Sequence, residues 1–142
     1  MTQIFFYHNA ADRIEATVVL LGKAFRQGKP VLVFAPEQEV ARALDRYLWT
    51  SPPTGFVPHV FSASPLANET PIVITDDPTT ATQNERLFNL GAEVPPGFSR
   101  FSSIIEVVGR SDEERQAARA RVKFYKDRGY AIQYFDLAEK SS

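Results

Sequence analysis

The chain predicts a three-layer α/β/α domain around a mostly parallel sheet. Short apolar runs bounded by turn residues, Ile4 to Tyr7, Val31 to Phe34 and Pro71 to Thr75, have the length of buried strands. Stretches of helical length with one apolar face lie between some of them, and polar caps or glycines mark their ends. Val31-Leu32-Val33-Phe34 has no polar alternation, as a strand covered on both faces requires. At 142 residues and 44% hydrophobic content, the chain is read as one domain, 1–142, able to bury a core.

Ile4 to Tyr7 reads as the first strand, with Asn9 as helix N-cap and Asp12 in the first turn. Ile14, Val18, Leu21 and Phe25 then share one face of a 3.6-residue period, and Gly28 can take the left-handed conformation that stops a helix. With Val31 to Phe34 this makes a strand-helix-strand unit, hence a parallel pair with a right-handed crossover. Pro36 suits the first turn of a second helix, whose stripe Val40, Leu44, Tyr47 and Leu48 leads into Trp49. Val57 to Phe61 is a short strand, placed at an edge because Pro58 lacks an N–H.

Residues 62–70 read as loop and Pro71 to Thr75 as strand, followed by a mobile turn segment from Asp76 to Thr82. Arg86 to Leu90 is read as a strand in preference to a helical turn. Phe98 and Phe101 anchor the connection around Pro95-Pro96-Gly97. Ser103 to Val108 is the next strand, and Ser111 with Glu114 forms a capping box that opens the strongest helix. Asp112 and Glu113 favour its positive end, and Gly129 stops it. Tyr130 to Leu137 is the last strand, and residues 138–142 a polar tail expected to fray. This frame is Rossmann-like.

Sixteen basic residues against 17 acidic ones, net −1, give no global attraction to a phosphate backbone. Any role at nucleic acid is therefore local or indirect. The lack of cysteine excludes disulfides, thiolate catalysis and thiolate metal sites. No signal-peptide pattern and no run of membrane-spanning length are present, so a soluble cytoplasmic protein is expected.

The first strand-to-helix turn, His8-Asn9-Ala10-Ala11-Asp12-Arg13, has no glycine to admit a pyrophosphate, and no Walker lysine motif occurs. No cofactor is expected. Asp76 and Asp77 follow a strand, where α/β enzymes place acids, and they carry the best enzymatic alternative: a nucleotide- or Mg²⁺-dependent phosphoryl transfer. Beside Pro78 they fit an Asx-type turn better. His8 and His59, the only histidines, lack a carboxylate at ligand spacing and are expected to be buried by the sheet or bonded in a loop. No metal site and no nucleophile can be named.

Two features look like binding chemistry. Arg115, Arg119 and Lys126 lie close on the wheel of the last helix, with Lys123 beside them and Val122 at the border of an apolar arc containing Ala117, Phe124 and Tyr125. A solvated face is the common meaning of such a stripe; a clamp for a short acidic peptide with an apolar end is the functional one. Direct binding of single-stranded DNA is a further option that the net charge disfavours. Arg121 falls inside the apolar arc, which only snorkelling or a partner would explain. The second feature is Leu48-Trp49 followed by Pro52, Pro53 and Phe56-Val57-Pro58-His59. Composition alone favours a core Trp and an ordinary connection; the alternative is a stiffened aromatic docking surface.

Gly28-Lys29-Pro30-Val31-Leu32-Val33, Leu44-Asp45 to Leu48-Trp49, Phe56-Val57-Pro58-His59 and Arg115 to Tyr130 together resemble the chi subunit family of bacterial DNA polymerase III. The resemblance spans almost the whole chain. It implies a non-enzymatic clamp-loader adaptor that joins the psi subunit on one surface and the acidic C-terminal tail of single-stranded DNA-binding protein on another, reaching DNA only through partners. On that resemblance Trp49 and Phe56 match the psi-facing aromatic positions, with Val57, Pro58 and His59 shaping them. Arg115 and Arg119 match the two basic tail-binding positions, and Val122, Lys123 and Lys126 complete that set. Val122 stands where the pattern has an aromatic, a difference that bears on the wall of the tail pocket.

Overall fold

The computed structural model describes residues 2–50, 58–67, 70–80 and 83–140, without the side chains of residues 139 and 140. Its strands are β1 (Gln3–Ala10), β2 (Val31–Phe34), β3 (His59–Phe61), β4 (Ile72–Thr75), β5 (Arg86–Asn89), β6 (Ser103–Gly109) and β7 (Ile132–Asp136). Its helices are α1 (Arg13–Arg26), α2 (Gln38–Thr50) and α3 (Asp112–Asp127). The sheet order is β3-β4-β2-β5-β6-β1-β7, and every described pairing is parallel. The predicted α/β/α layering is what forms, with β3 at one edge as expected from Pro58.

The layers are unequal. On one face, Val18 and Leu21 of α1 and Leu44 and Leu48 of α2 pack on Val33, Ile74 and Val107. On the other, α3 contributes Ala118 and Tyr125 to a cluster with Phe6, Leu32, Leu87 and Ile104. A helix is roughly 10 Å wide and strands lie about 4.8 Å apart, so one helix spans only about two strands. Phe98 and Phe101 extend the cover on the β5 side, as their anchoring role predicted. Ile4 and Phe6 of β1 are covered as well, and a cleft remains beside α3 at Phe6, His8 and Tyr134.

Several local expectations are corrected. Asn9 is not a cap: β1 runs on to Ala10, and Asp12 caps α1 through Oδ1, which accepts from the N–H groups of Ile14 and Glu15. Asn9 instead has φ 65°, within the irregularity that separates Tyr7↔Val107 from Ala10↔Gly109 in the β1–β6 register. Pro36 precedes α2 instead of lying in its first turn. Within the turn-rich segment, Pro78–Thr80 form a 3₁₀ turn, and the carbonyl of the buried Pro78 accepts from Arg100 Nη2 at 2.7 Å. Leu137–Lys140 form a 3₁₀ turn at the start of the polar tail, and residues 141 and 142 lie outside the described set. Gly28 does stop α1, at φ 71°.

Arg121 finds its explanation across the helix-sheet interface. Its Nε donates to Glu106 Oε1 at 3.0 Å and its Nη1 to the Ala92 carbonyl at 2.8 Å. Asn89 Nδ2 lies 3.1 and 3.0 Å from the two Glu106 oxygens, and the Tyr125 hydroxyl donates to Oε2 at 2.9 Å. Glu106 is wholly buried and Arg121 only 4% exposed, so each charge depends on the other for solvation. Burial pushes the Glu106 carboxyl above the ordinary range, against the opposing pull of Arg121 and Asn89. The strand residue Glu106 was not singled out in the sequence, because a polar residue within a strand pattern reads as an outward face.

Candidate functional site

The open end of the α3 face is a cleft of about 830 Å³. Its apolar parts come from Phe6, Val108, Ala118, Val122 and Tyr134. Arg115, Arg119, Lys123 and Lys126 line it from α3, against one carboxylate, Asp127. All five positions expected to form a tail-binding set thus lie on one concavity. The helix does this by its period: residues 115, 119, 122, 123 and 126 recur at three- and four-residue steps and so share a face.

Lys123 Nζ lies 2.7 Å from Asp127 Oδ2, an exposed i,i+4 pair that removes one cation from the balance. Arg115 and Arg119 form no ion pair among the described residues. Guanidinium groups left in this way can take a carboxylate in bidentate fashion while an adjoining apolar floor receives a side chain. Among the described residues no group of three or more His, Asp or Glu side chains is placed to hold a metal ion.

Sequence reasoning missed the sheet side of this cleft. Phe6, His8 and Tyr134 face it from β1 and β7, where Phe6 pairs with Tyr134 in register and His8 with Asp136. His8, expected under the sheet or in a loop, is half-buried at the cleft. Its ring meets Tyr134 edge-on at 6.4 Å. The period of two in each strand was legible, but which parallel strands are neighbours is not a local property. Asp136 is held below the ordinary carboxylate range by the Ala138 N–H and then by Asn9 Nδ2.

The aromatic feature lies at the opposite edge. Trp49, in the last turn of α2, is 62% exposed, so the core reading of this residue is overturned. His59 is buried as expected, with Nε2 3.0 Å from Asp45 Oδ1 and its ring 5.3 Å from that of Trp49. Asp45 stands one helical turn before Trp49, a spacing that could have flagged it. Phe61 on β3 and Leu66 are also exposed on this side of the chain. Pro58 is half-buried, while Phe56 and Val57 lie outside the described residues.

Asp77, half of the pair on which the enzymatic alternative rested, is committed to a turn. Asp77 Oδ1 accepts from the Thr79 N–H at 3.0 Å and from its hydroxyl at 2.6 Å, the Asx-type turn expected beside Pro78. These bonds hold the Asp77 carboxyl below its ordinary range. Asp76 is exposed beside it. No helix among the described residues is long and apolar enough to cross a membrane.

The chain is 29% identical over 137 residues to DNA polymerase III subunit chi of Pseudomonas aeruginosa, covering 94% of this chain and 95% of that protein. It is 31% identical over 114 residues to the Haemophilus influenzae subunit chi, covering 80% and 79%, and 26% identical to that of Escherichia coli, covering 80% and 78%. Among solved structures, the C-terminal domain of the DEAD-box protein Dbp5 superposes with a TM-score of 0.58 at 11% identity, over 96% of this chain and 90% of that one. A variant of the S. cerevisiae Dbp5 domain gives 0.61 at 12% identity over the same shares. Those two likenesses concern the fold alone. The family profile described as DNA polymerase III chi subunit, HolC, matches residues 1–133, and with it the chain belongs to the DNA polymerase III chi subunit family.

Proposed function

We propose that this chi-family chain is a non-catalytic, cytoplasmic adaptor of the polymerase holoenzyme. It takes the acidic C-terminal tail of single-stranded DNA-binding protein in the α3 cleft and the psi subunit on the edge around Trp49. DNA is reached only through the first of these partners. The observation that carries the reading is the cleft itself: four cations and one carboxylate around a floor of Phe6, Ala118 and Val122. An acidic segment with an apolar end matches both parts at once. Trp49, exposed beside the Asp45–His59 contact, supports the second surface, to which the resemblance also assigns Phe56, Val57 and Pro58.

Fluorescence anisotropy of a labelled peptide copying the cognate tail tests the first assignment. Arg115→Ala or Arg119→Ala is expected to weaken binding by about 1 to 3 kcal/mol while the fold persists. Affinity unchanged in both variants would defeat it. Trp49→Ala is expected to remove psi and leave tail binding intact, as read by co-purification with psi alongside the same anisotropy assay.

A further inference from the structure

We propose that Tyr134 is the specificity-determining residue of the cleft, the side chain through which it selects a large apolar group, aromatic above all, at the carboxyl end of the bound segment. The inference rests on the acidic-tail reading of this cleft and deepens it.

Tyr134 belongs to β7, the outermost strand on this side of the sheet, and lines the cleft beside α3. Its register partner on β1 is Phe6, and the two rings lie 6.2 Å apart on the α3 face. Phe6 is 2% exposed and already committed to the core against Tyr125, whereas Tyr134 is 49% exposed. Among the described residues it is the one large, exposed apolar side chain that lines the cleft; the other four of that kind lie elsewhere. The helix wall opposite offers Ala118 and Val122, which present little area to an incoming ring. Most of the contact area a terminal aromatic side chain can gain is therefore on Tyr134.

Charge places the end of the segment there as well. Lys126 Nζ lies 6.0 Å from the centre of the Tyr134 ring, so a cation stands beside the aromatic surface. A free terminal carboxylate and the side chain on the same residue are neighbours, and Lys126 and Tyr134 are neighbours in the same sense. Arg115 and Arg119, nearer the start of α3, remain for the acidic residues that precede it. An exposed edge tyrosine without any ligand role is the competing reading, and it makes a different prediction.

The test uses two labelled acidic decapeptides that differ only in a C-terminal Phe or Ala, titrated by anisotropy against the full chain. The wild type is expected to prefer the Phe peptide by about tenfold or more. Tyr134→Ala should weaken the Phe peptide by about tenfold and leave the Ala peptide within about twofold, so that the preference collapses. Tyr134→Phe should restore it, which separates loss of the ring from damage to the fold. Arg119→Ala should weaken both peptides alike. If Tyr134→Ala keeps the full Phe preference while Arg119→Ala weakens both, the inference falls and the tail reading stands. If neither peptide binds the wild type, both fall together.

Discussion

Glu106 and Arg121 show how much a single pair can decide. A carboxylate at the centre of β6 and a guanidinium on the buried side of α3 are tolerable only together, with Asn89 and Tyr125 satisfying the remaining oxygen capacity. Glu106→Ala is expected to cost about 3 to 5 kcal/mol, because Arg121 would stay buried without its partner. The Glu106→Leu, Arg121→Met double variant should lose less than Glu106→Ala, as urea denaturation will show. The pH dependence has a definite sign. A carboxyl whose folded pKa is raised above its ordinary 4.5 contributes stability that is complete below that value and lost as pH rises through the folded pKa. Urea midpoints of Glu106→Gln should accordingly lack the decline with rising pH that this group contributes to the wild type.

At the scale of elements, α3 is fixed at its start by a device partly legible in sequence. The Glu114 N–H donates to Ser111 Oγ at 3.1 Å, the expected half of the capping box. The Glu114 side chain departs from that motif: it takes the Ser111 hydroxyl at 3.1 Å and reaches back to the Gly109 N–H at 2.9 Å, tying the helix to the end of β6. A Cβ at Gly109 would lie 2.6 to 2.9 Å from the Glu114 carboxyl group, so the side chain would have to leave. Gly109→Ala and Ser111→Ala are each expected to lower stability by about 1 kcal/mol, read from thermal midpoints, since each removes a helix-end partner. The start of α1 was misread for a physical reason. Asn9 and Asp12 are both good caps, but β1 resumes its pairing with β6 at Ala10↔Gly109 after the left-handed Asn9, so the strand ends beyond Asn9, a long-range effect that local spacing does not carry.

For the whole molecule, the unequal layering connects fold and function. Among the described residues two α-helices cover one face of the sheet and one the other, so the shortage of cover becomes a cleft beside the basic stripe of α3. The layer architecture and that stripe were legible because both follow from local period. Phe6, His8 and Tyr134 were not, because strand order decides their place. The exposure of Trp49 could not be read either, since an amphipathic stripe identifies a helix face without stating where the helix ends relative to the sheet edge. The cleft and the exposed Trp49 lie toward opposite ends of the strand order, so the proposed function expects both partners to bind together. Rising salt should weaken the cleft contact more than the aromatic one, as anisotropy at low and high ionic strength would register.

The most direct measurement is an amide and indole chemical-shift titration of the isotope-labelled chain with the acidic tail peptide of its cognate single-stranded DNA-binding protein. The account predicts saturable shifts confined to α3, the ends of β1 and β6, and β7 around Tyr134, with the Trp49 indole unmoved. Shifts centred on Trp49 and β3, or none at all at low salt, would contradict it.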